Sequence, residues 1–239
     1  MHIEVFFTPA ELAGAPIADH AAVVVDVLRA TSTITQAIAN GARTIYPVGS
    51  MEEAVRLAQN LDRETLLLCG ERKALKIEGF DLGNSPLEFT RETVEDRVLV
   101  MATTNGTPAL VAASAARSTC ALSMLNLGAV AESLEGAEAV AIVCAGRENR
   151  FALEDAVCAG MLVERLTAAA SVAPEDLNDG AAAALALAQR FGDDPEAMFA
   201  RTAAGRQLIS IGQEQDLAHC ARIDLVDVVP RLEERRITA

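Results

Sequence analysis

The sequence of 239 residues has no tryptophan, one tyrosine and only 3% aromatic residues. Its hydrophobic half is mostly Ala, Val and Leu, which favours a core of small and branched side chains with helices packed closely on a sheet. Basic residues are also scarce, since 20 Lys and Arg stand against 34 Asp and Glu and give a formal net charge of −14. Nucleic acids and anionic membranes are bound through a basic face, so this balance argues against both as partners.

Long hydrophobic runs and secretion signals are absent as well. The longest apolar candidate, residues 21–28, is far shorter than the ~20 residues that span a bilayer, and it contains Asp26. The first five residues, Met-His-Ile-Glu-Val, lack the basic stretch of a signal peptide. The five cysteines are odd in number and have no C-x-x-C spacing, which favours reduced thiols over disulfides or a zinc site. We therefore expect a cytoplasmic protein.

Common catalytic and nucleotide-binding motifs are missing too. The sequence contains neither G-x-G-x-x-G nor G-x-x-x-x-G-K-[ST], so dinucleotides and nucleoside triphosphates are not the first choice of ligand. The three histidines, His2, His20 and His219, do not cluster in the sequence. A zinc site or a Ser-His-Asp triad therefore lacks its parts.

Short apolar runs alternate with helical patterns along most of the chain. The runs are continuously apolar rather than alternating, which predicts a sheet buried on both faces. The fold class is therefore α/β, a three-layer sandwich around a mainly parallel or mixed sheet. The eight predicted strands cover residues 3–7, 22–27, 44–48, 65–69, 98–102, 119–123, 139–144 and 225–229.

The helices between these strands have start and stop signals. Ser50 and Glu53 form a capping box, Ser85-Pro86 and Thr107-Pro108 are typical helix starts, and Gly41 is a typical stop. A helical segment follows from about residue 152 to 212. The predicted helices cover residues 33–40, 54–61, 109–116, 152–170, 179–190 and 195–212.

The sequence contains no linker, so we expect one compact unit. A division into two similar lobes near residue 120 stays open. The Ala-rich tract over residues 180–188 also leaves a homo-oligomer open, because such a face can pack against a partner subunit.

In an open α/β sheet, ligands bind beyond the carboxyl ends of the strands, so the turns that follow the strands are informative. The first such turn reads Asp26-Val-Leu-Arg-Ala-Thr-Ser-Thr33. Arg29 can bind phosphate oxygens in a bidentate manner, and Thr31, Ser32 and Thr33 open a helix whose free N–H groups favour an anion. The same residues also fit a simple helix cap without a ligand.

A second turn, Cys69-Gly-Glu-Arg72, leads into the polar stretch Gly79-Phe-Asp-Leu-Gly-Asn-Ser-Pro86. A capped helix accounts for the end of this stretch. It does not account for Glu71 and Arg72 directly after a buried strand, nor for Asp81. These three residues are therefore candidates for a binding site.

The third turn, Thr103-Thr-Asn-Gly-Thr107, places hydroxyls at a helix N-terminus and gives a second candidate anion site. A fourth turn contains Cys144 and Arg150 in the C-x5-R spacing of cysteine-dependent phosphatases. Glu148 would place a carboxylate in that phosphate loop, so a buried structural role for Cys144 is favoured. Glu154 and Asp155 then begin a long helix, where acidic residues complement the helix dipole or bind Mg²⁺.

Taken together, these blocks resemble the 2-phosphosulfolactate phosphatase family of Mg²⁺-dependent hydrolases. The resemblance runs from about residue 3 to residue 230, and each block alone is a weak signal. The matching blocks are Asp26-Val-Leu-Arg-Ala-Thr-Ser-Thr33, Gly70-Glu-Arg72, Gly79-Phe-Asp-Leu-Gly-Asn-Ser-Pro86, Thr103-Thr-Asn-Gly-Thr107, Cys144-Ala-Gly146 and Glu154-Asp155.

The resemblance implies hydrolysis of a phosphate monoester of a small 2-hydroxy acid, 2-phospho-3-sulfolactate, as in coenzyme M biosynthesis. On this hypothesis Asp26 and Arg29 are catalytic, and Asp26 acts as nucleophile, as base or as metal ligand. Mg²⁺ is the expected cofactor, with Asp26, Glu71, Asp81 and Asp155 as candidate ligands. The residues expected to hold the anionic substrate are Arg29, Thr31, Ser32, Thr33, Arg72, Asn84, Ser85, Thr103, Thr104, Asn105, Gly106, Thr107, Gly146 and Arg206.

Three alternatives remain beside this hypothesis. A phosphatase for a different 2-phospho acid would use the same residues. A haloacid-dehalogenase-type phosphatase needs an Asp two positions after the nucleophile, where this chain has Leu28. A non-catalytic protein that binds an anionic metabolite would keep the Arg and hydroxyl groups but gain nothing from Mg²⁺.

Overall fold

The buried aliphatic runs form a ten-stranded mixed sheet in the computed structural model, which describes residues 1–169 and 172–239. The order across the sheet is β1-β8-β2-β7-β9-β10-β3-β6-β4-β5. In chain order the strands are β1 His2–Phe6, β2 Ala21–Val25, β3 Thr44–Val48, β4 Leu66–Arg72, β5 Leu75–Lys76, β6 Val98–Ala102, β7 Ser118–Leu122, β8 Ala139–Cys144, β9 Arg231–Glu233 and β10 Arg236–Thr238.

The sheet consists of two parallel blocks. Strands β1, β8, β2 and β7 form the first block, and β3, β6 and β4 form the second. The antiparallel hairpin of β9 and β10 lies between them and pairs with β7 on one side and β3 on the other. The chain enters the second block after β2 and returns to the first at β7, so a split near residue 120 does not separate the two blocks.

Helices cover both faces of the sheet, which confirms the predicted α/β sandwich. Along β2 the side chains alternate, so Val23 packs with Leu162 while Val24 packs with Ile34 and Leu110 on the opposite face. The helices are α1 Ala30–Ala39, α2 Met51–Ala58, α3 Arg91–Val94, α4 Gly106–Ala113, α5 Leu127–Ser133, α6 Leu153–Ala169, α7 Asp179–Phe191, α8 Pro195–Arg201, α9 Ala203–Ser210 and α10 Gln215–Cys220.

Part of the Ala-rich tract on α7 is buried within the chain itself. A Cβ added to Gly160 of α6 would lie 1.9 Å from the Ala184 carbonyl oxygen, so the two helices touch through their backbones. Ala181, Ala184 and Ala188 are buried in this contact. These alanines thus explain how α6 and α7 pack closely.

Several helices begin earlier than predicted. Helices α1, α2 and α4 each start three residues before the predicted position. For α2 the cap explains the difference, because the Ser50 Oγ accepts the Glu53 N–H at 3.1 Å. The predicted helix start at Ser85-Pro86 is a short 3-10 turn, Pro86–Glu88.

The helical segment after residue 152 also differs in detail. Residue 170, the last of the helix predicted over 152–170, lies outside the described residues. The helix predicted over 195–212 is divided into α8 and α9 at Thr202. The extended backbone of Thr202 (ψ 165°) ends α8, and the same residue is the N-cap of α9. The Thr202 Oγ1 accepts the Gly205 N–H at 3.1 Å, so a single residue sets both boundaries.

The strand predicted over residues 225–229 is wrong, and the true last strands are β9 and β10. Residues 225–229 run without a strand ladder, although Val226 donates its N–H to the Leu125 carbonyl at 3.0 Å. The turn of the β9–β10 hairpin is formed by Glu234 and Arg235, with φ of 46° and 65°. Such turns usually contain Asn-Gly, so this sequence had no recognisable hairpin signal.

Candidate active site

A cleft of about 210 Å³ lies where the carboxyl ends of β2, β4 and β6 meet. Asp26 follows β2 of the first block, whereas Glu71 near the end of β4 and Thr104 after β6 come from the second. Helix α9 closes one wall with Gln207 and Leu208. The cleft thus collects residues from both parallel blocks, at the edge where α/β sheets bind ligands.

Asp26 is the most deeply placed carboxylate of this cleft, with 7% of its surface exposed. Its backbone is fixed by Thr31, whose Oγ1 accepts the Asp26 N–H at 3.0 Å and whose N–H donates to the Asp26 carbonyl at 2.9 Å. Burial, and then the negative charges of Glu71 and Glu154, raise the pKa of Asp26 to about 7. An N–H from Ala30 and the Arg29 charge oppose this shift. Such a poised carboxyl is suited to proton transfer or nucleophilic attack near neutral pH.

Glu71 is held rigidly beside it. Its two carboxylate oxygens accept the N–H groups of Thr104 and Ala74, each at 2.7 Å. Asn84 also lines the cleft, and its buried Oδ1 has no hydrogen-bond partner in the described part of the chain. A buried acceptor of this kind needs a partner from a ligand, an ion or water.

Arg29 lines the cleft but is anchored behind it. Its Nη1 donates to Asp216 Oδ2 at 2.6 Å and to Gln213, and its Nη2 donates to the Ala74 carbonyl at 2.9 Å. Both charged side chains of the pair with Asp216 are almost completely buried. The arginine therefore faces the cleft in a fixed orientation.

The first group of predicted substrate-binding hydroxyls turns inward instead of lining the cleft. Ser32 Oγ donates to the Val27 carbonyl at 2.8 Å, and Thr33 Oγ1 donates to the Asn84 carbonyl at 2.8 Å. With Thr31 on the Asp26 backbone, all three side chains are buried and already bonded. They hold the turn around Asp26 in place, whereas the N-cap position of α1, Arg29, makes no side-chain capping bond.

The second hydroxyl group behaves in the same way. Thr103 and Thr107 cap each other, because the Thr103 N–H donates to Thr107 Oγ1 at 3.0 Å and the Thr107 N–H to Thr103 Oγ1 at 2.9 Å. Thr104 and Asn105 do line the cleft. Ser85 lies behind Arg29 and donates its hydroxyl to Asp216 Oδ1 at 2.6 Å.

Two of the predicted metal ligands accept backbone N–H groups. Asp155 nevertheless lies close to Asp26, since burial and then the Asp26 charge raise the pKa of Asp155 well above its usual range. Asp155 is buried and uses both oxygens on backbone, with the Val27 N–H at 2.9 Å and the Gly146 N–H at 3.1 Å. It thereby ties the end of β2 to the end of β8. Asp81 is exposed and accepts the Leu68 N–H at 2.8 Å. Neither residue lines the cleft.

Three other predicted binding residues are also outside the cleft lining. Arg72 points toward a neighbouring depression with Ser50 and Met51. Arg206 is exposed and bonds to the Arg201 carbonyl. Gly146 has a φ of +63°, and an added Cβ would lie 2.5 Å from the Arg150 carbonyl, so a glycine is needed there for the turn itself.

Two cationic residues of the cleft, Lys73 and Arg147, were not predicted from the sequence. Lys73 is in the two-residue turn Lys73-Ala74, and Arg147 directly precedes the turn Glu148-Asn149; the residues of both turns have positive φ. Gln207 links the two turns, since its Nε2 donates to the Lys73 carbonyl at 3.0 Å and its Oε1 accepts from Arg147 Nη2 at 2.9 Å. Without glycine in either turn, the sequence had no signal for these hairpins.

Cys144 does not belong to the site. It is 1% exposed at the end of β8, and burial together with the Asp155 carboxylate raises the pKa of its thiol well above the usual range. A thiolate nucleophile is therefore disfavoured. We expect Cys144→Ser to keep most of the wild-type turnover per folded molecule, measured as phosphate release after correction for the folded fraction. A complete loss in well-folded Cys144→Ser protein would contradict this assignment.

This chain is similar in sequence to known proteins over almost its whole length. Residues 6–235 match the family model described as 2-phosphosulpholactate phosphatase. The chain belongs to this family. The resemblance seen in the sequence blocks is thereby confirmed, and with it the enzyme class, a phosphoric monoester hydrolase.

Individual relatives cover almost the whole chain. A protein of Thermotoga petrophila is 42% identical over 217 residues, which is 91% of this chain and 91% of the relative. One from Symbiobacterium thermophilum is 40% identical over 92% of this chain and 94% of the relative. One from Carboxydothermus hydrogenoformans is 39% identical over 99% of this chain and 96% of the relative. Each of these relatives is named a probable 2-phosphosulfolactate phosphatase.

None of the described helices is long and apolar enough to cross a membrane.

Proposed function

We propose that this chain hydrolyses the phosphate ester of a small, multiply charged 2-hydroxy acid, with 2-phospho-3-sulfolactate as substrate and 3-sulfolactate and phosphate as products, in an Mg²⁺-dependent reaction. The observation that supports this most directly is the cleft itself. The cleft is lined by Asp26, whose pKa is raised to about 7, and by three cationic side chains, Arg29, Lys73 and Arg147. The names of the relatives point to the same substrate.

The three cations suit a substrate with several negative charges. 2-Phospho-3-sulfolactate carries a phosphate, a carboxylate and a sulfonate, which must all lose hydration on binding. Arg29, next to Asp26, is placed for the phosphate, since an arginine can bind phosphate oxygens in a bidentate manner. Lys73 and Arg147, on the two hairpin turns, are then available for the other anionic groups.

The cleft also fits an Mg²⁺ ion. Mg²⁺ is usually bound by one or two protein carboxylates, with water and substrate phosphate oxygens completing its shell. Asp26, Glu71 and the unpartnered Asn84 Oδ1 supply hard oxygen donors on one cleft. Within residues 1–169 and 172–239, no three His, Cys, Asp or Glu side chains form a cluster that would hold a metal unaided. When bound, the ion would neutralise charge that develops on the phosphoryl oxygens.

The chain's own residues can perform the remaining steps. In one role the Asp26 carboxylate attacks phosphorus while the ester P–O bond breaks, and water then hydrolyses the resulting aspartyl phosphate. In the other role Asp26 takes the proton of a water whose oxygen attacks phosphorus while the same bond breaks. In both roles the leaving alkoxide takes up a proton to give the 2-hydroxy acid, and Asp26 must be ionised. Arg29 holds the phosphoryl oxygens while charge develops on them. Glu71, fixed by two backbone N–H groups, keeps the carboxylate side of the cleft in place.

The test of this function is phosphate release from 2-phospho-3-sulfolactate with Mg²⁺ and with EDTA. We expect turnover with Mg²⁺, its loss in EDTA and its recovery when Mg²⁺ is restored. Other 2-phospho acids and a simple alkyl phosphate are run in parallel, and esters without a second anionic group should be poorer substrates. Binding of these esters without any turnover would instead favour the non-catalytic anion-binding protein.

The raised pKa of Asp26 predicts a pH dependence. Because Mg²⁺ binds the ionised carboxylate, and Asp26 of the Mg²⁺-free protein releases its proton near pH 7, Mg²⁺ affinity should rise with pH and level off above about pH 7. Removing the Glu71 charge should lower the pKa of Asp26. We would follow the Asp26 carboxyl by NMR titration of Mg²⁺-free wild type and Glu71→Gln, with the exposed Glu64→Gln as control. An Asp26 pKa near 4 in the wild-type protein would contradict the prediction.

A further inference from the structure

Asp216 of α10 is buried directly behind Arg29. Only 2% of its surface is exposed, and it does not line the cleft. Its Oδ2 accepts from Arg29 Nη1 at 2.6 Å, and its Oδ1 accepts from the Ser85 hydroxyl at 2.6 Å. Each carboxylate oxygen thus has its own short, charge-assisted or hydroxyl hydrogen bond.

This arrangement fixes the guanidinium rather than simply neutralising it. An arginine side chain has many rotamers, and holding one of them costs conformational entropy. Arg29 is held from several directions, by Asp216 and Gln213 through Nη1 and by the Ala74 carbonyl through Nη2. Ser85 in turn holds the Asp216 carboxylate, so α10 and the turn before Pro86 together set the direction of Arg29.

We propose that Asp216 is a positioning residue for the reaction, which acts through Arg29 to keep its remaining N–H donors directed at the phosphoryl group. The proposal rests on the proposed function for the identity of the substrate. It assigns a catalytic contribution to α10, a helix that contributes no residue to the cleft lining.

The proposal is testable because charge and positioning predict opposite changes in phosphate binding when the Asp216 charge is removed. Asp216→Asn removes a negative charge close to an anion site, so by charge alone phosphate should bind more tightly. If Asp216 positions Arg29, phosphate should instead bind more weakly, because the donors lose their orientation. The sign of the change separates the two.

The experiment compares Asp216→Asn with Asp224→Asn. Asp224 makes an ion pair with Arg165 at 2.7 Å, and both side chains are partly exposed. Neither residue lines the cleft. We expect Asp216→Asn to weaken binding of inorganic phosphate severalfold and to lower kcat/KM by about tenfold or more, as for a misplaced catalytic group. Asp224→Asn should leave both quantities within about twofold of wild type.

A double-mutant cycle shows whether the effect passes through Arg29. In an Arg29→Gln background, adding Asp216→Asn should change phosphate binding and kcat/KM by less than about twofold. Ser85→Ala, which keeps the ion pair, is a milder second variant in case Asp216→Asn does not fold. It should lower kcat/KM severalfold.

Several results would overturn the proposal. The first is unchanged or tighter phosphate binding in folded Asp216→Asn. The second is a loss of phosphate binding and kcat/KM on adding Asp216→Asn to Arg29→Gln that equals the loss in the wild-type background. The third, where Asp216→Asn does not fold, is an unchanged kcat/KM in Ser85→Ala. If the wild-type protein fails to hydrolyse 2-phospho-3-sulfolactate, the proposed function fails instead. The inorganic phosphate measurements then still decide the role of Asp216, because they do not depend on the substrate.

Discussion

Asp26→Asn is expected to abolish turnover while the protein remains folded. Asn has nearly the same shape and can keep the backbone contacts of Asp26 with Thr31 and the N–H of Ala30. It cannot act as a nucleophile or accept a proton, so we expect kcat to fall by about 10²- to 10⁴-fold or more. The measurement is phosphate release at saturating Mg²⁺, with circular dichroism and thermal unfolding to show that the fold is intact.

The same substitution has an expected signature in stability. The pKa of Asp26 is raised to about 7, so above pH 7 the folded state must hold a buried charge that the unfolded chain holds in water. The wild-type protein therefore loses stability as pH rises from about 4 to about 7, and Asn removes this cost. Asp26→Asn should thus be more stable than wild type at pH 8 and similar at pH 4. Near-normal activity, or a loss of stability at pH 8, would contradict the assigned role of Asp26.

The sequence allowed the sheet to be predicted because its strands are continuous aliphatic runs. Strands β3, β6 and β8 have the predicted bounds, and the others that start from such runs shift by a few residues at most. The hairpin of β9 and β10 was not predictable in this way. Its strands alternate charged and apolar residues, and Glu234 and Arg235 form a turn that usually contains Asn-Gly.

The site was predictable where a residue directly follows a buried strand. Asp26 and Thr104 follow β2 and β6, and Glu71 lies at the end of β4, so topology alone places the three residues at one edge of the sheet. Residues that line or support the cleft through tertiary contacts were not predictable. Asp216 contacts Arg29 across 187 positions of sequence, and Gln207 contacts Lys73 across 134.

Hydroxyl-rich turns gave an ambiguous signal. A Thr or Ser at a helix start is equally suited to bind an anion and to cap the backbone. In this protein Thr31, Ser32, Thr103 and Thr107 are buried and bonded within the chain. The sequence contains neither the burial nor these hydrogen bonds, so it did not predict that the four side chains have partners inside the protein.

The net charge of −14 also has a clearer meaning once the cleft is known. The overall field of the protein opposes the approach of a polyanion, so substrate attraction must be local. Arg29, Lys73 and Arg147 supply it, but Arg29 is already paired with Asp216. Lys73 and Arg147 are therefore the cations that most directly attract substrate, and a bound Mg²⁺ would add to their effect.

Gly106→Ala is expected to remove most of the activity by steric means. Gly106 begins α4 beside Asp26, and an added Cβ would lie 2.4 Å from the Ala30 Cβ and 2.6 Å from Asp26 Oδ2. Neither neighbour is the end of a flexible side chain, because Asp26 is buried and Ala30 begins α1. Either Asp26 moves out of its place or α1 and α4 separate at their N-termini.

We expect kcat/KM of Gly106→Ala to fall by about 10²-fold, as for a catalytic group displaced by about 1 Å. The free energy of unfolding should fall by about 1–3 kcal/mol from overpacking. Gly49→Ala is the matched control, since its Cβ would meet only Glu53 Oε2, at 3.6 Å, and it should retain wild-type kinetics. Wild-type kcat/KM in Gly106→Ala would contradict this prediction. It would mean that separation of α1 and α4 relieves the clash with Asp26 still in place, or that Asp26 is not the catalytic carboxylate. The activity of Asp26→Asn separates these two explanations, because only the second leaves that variant active.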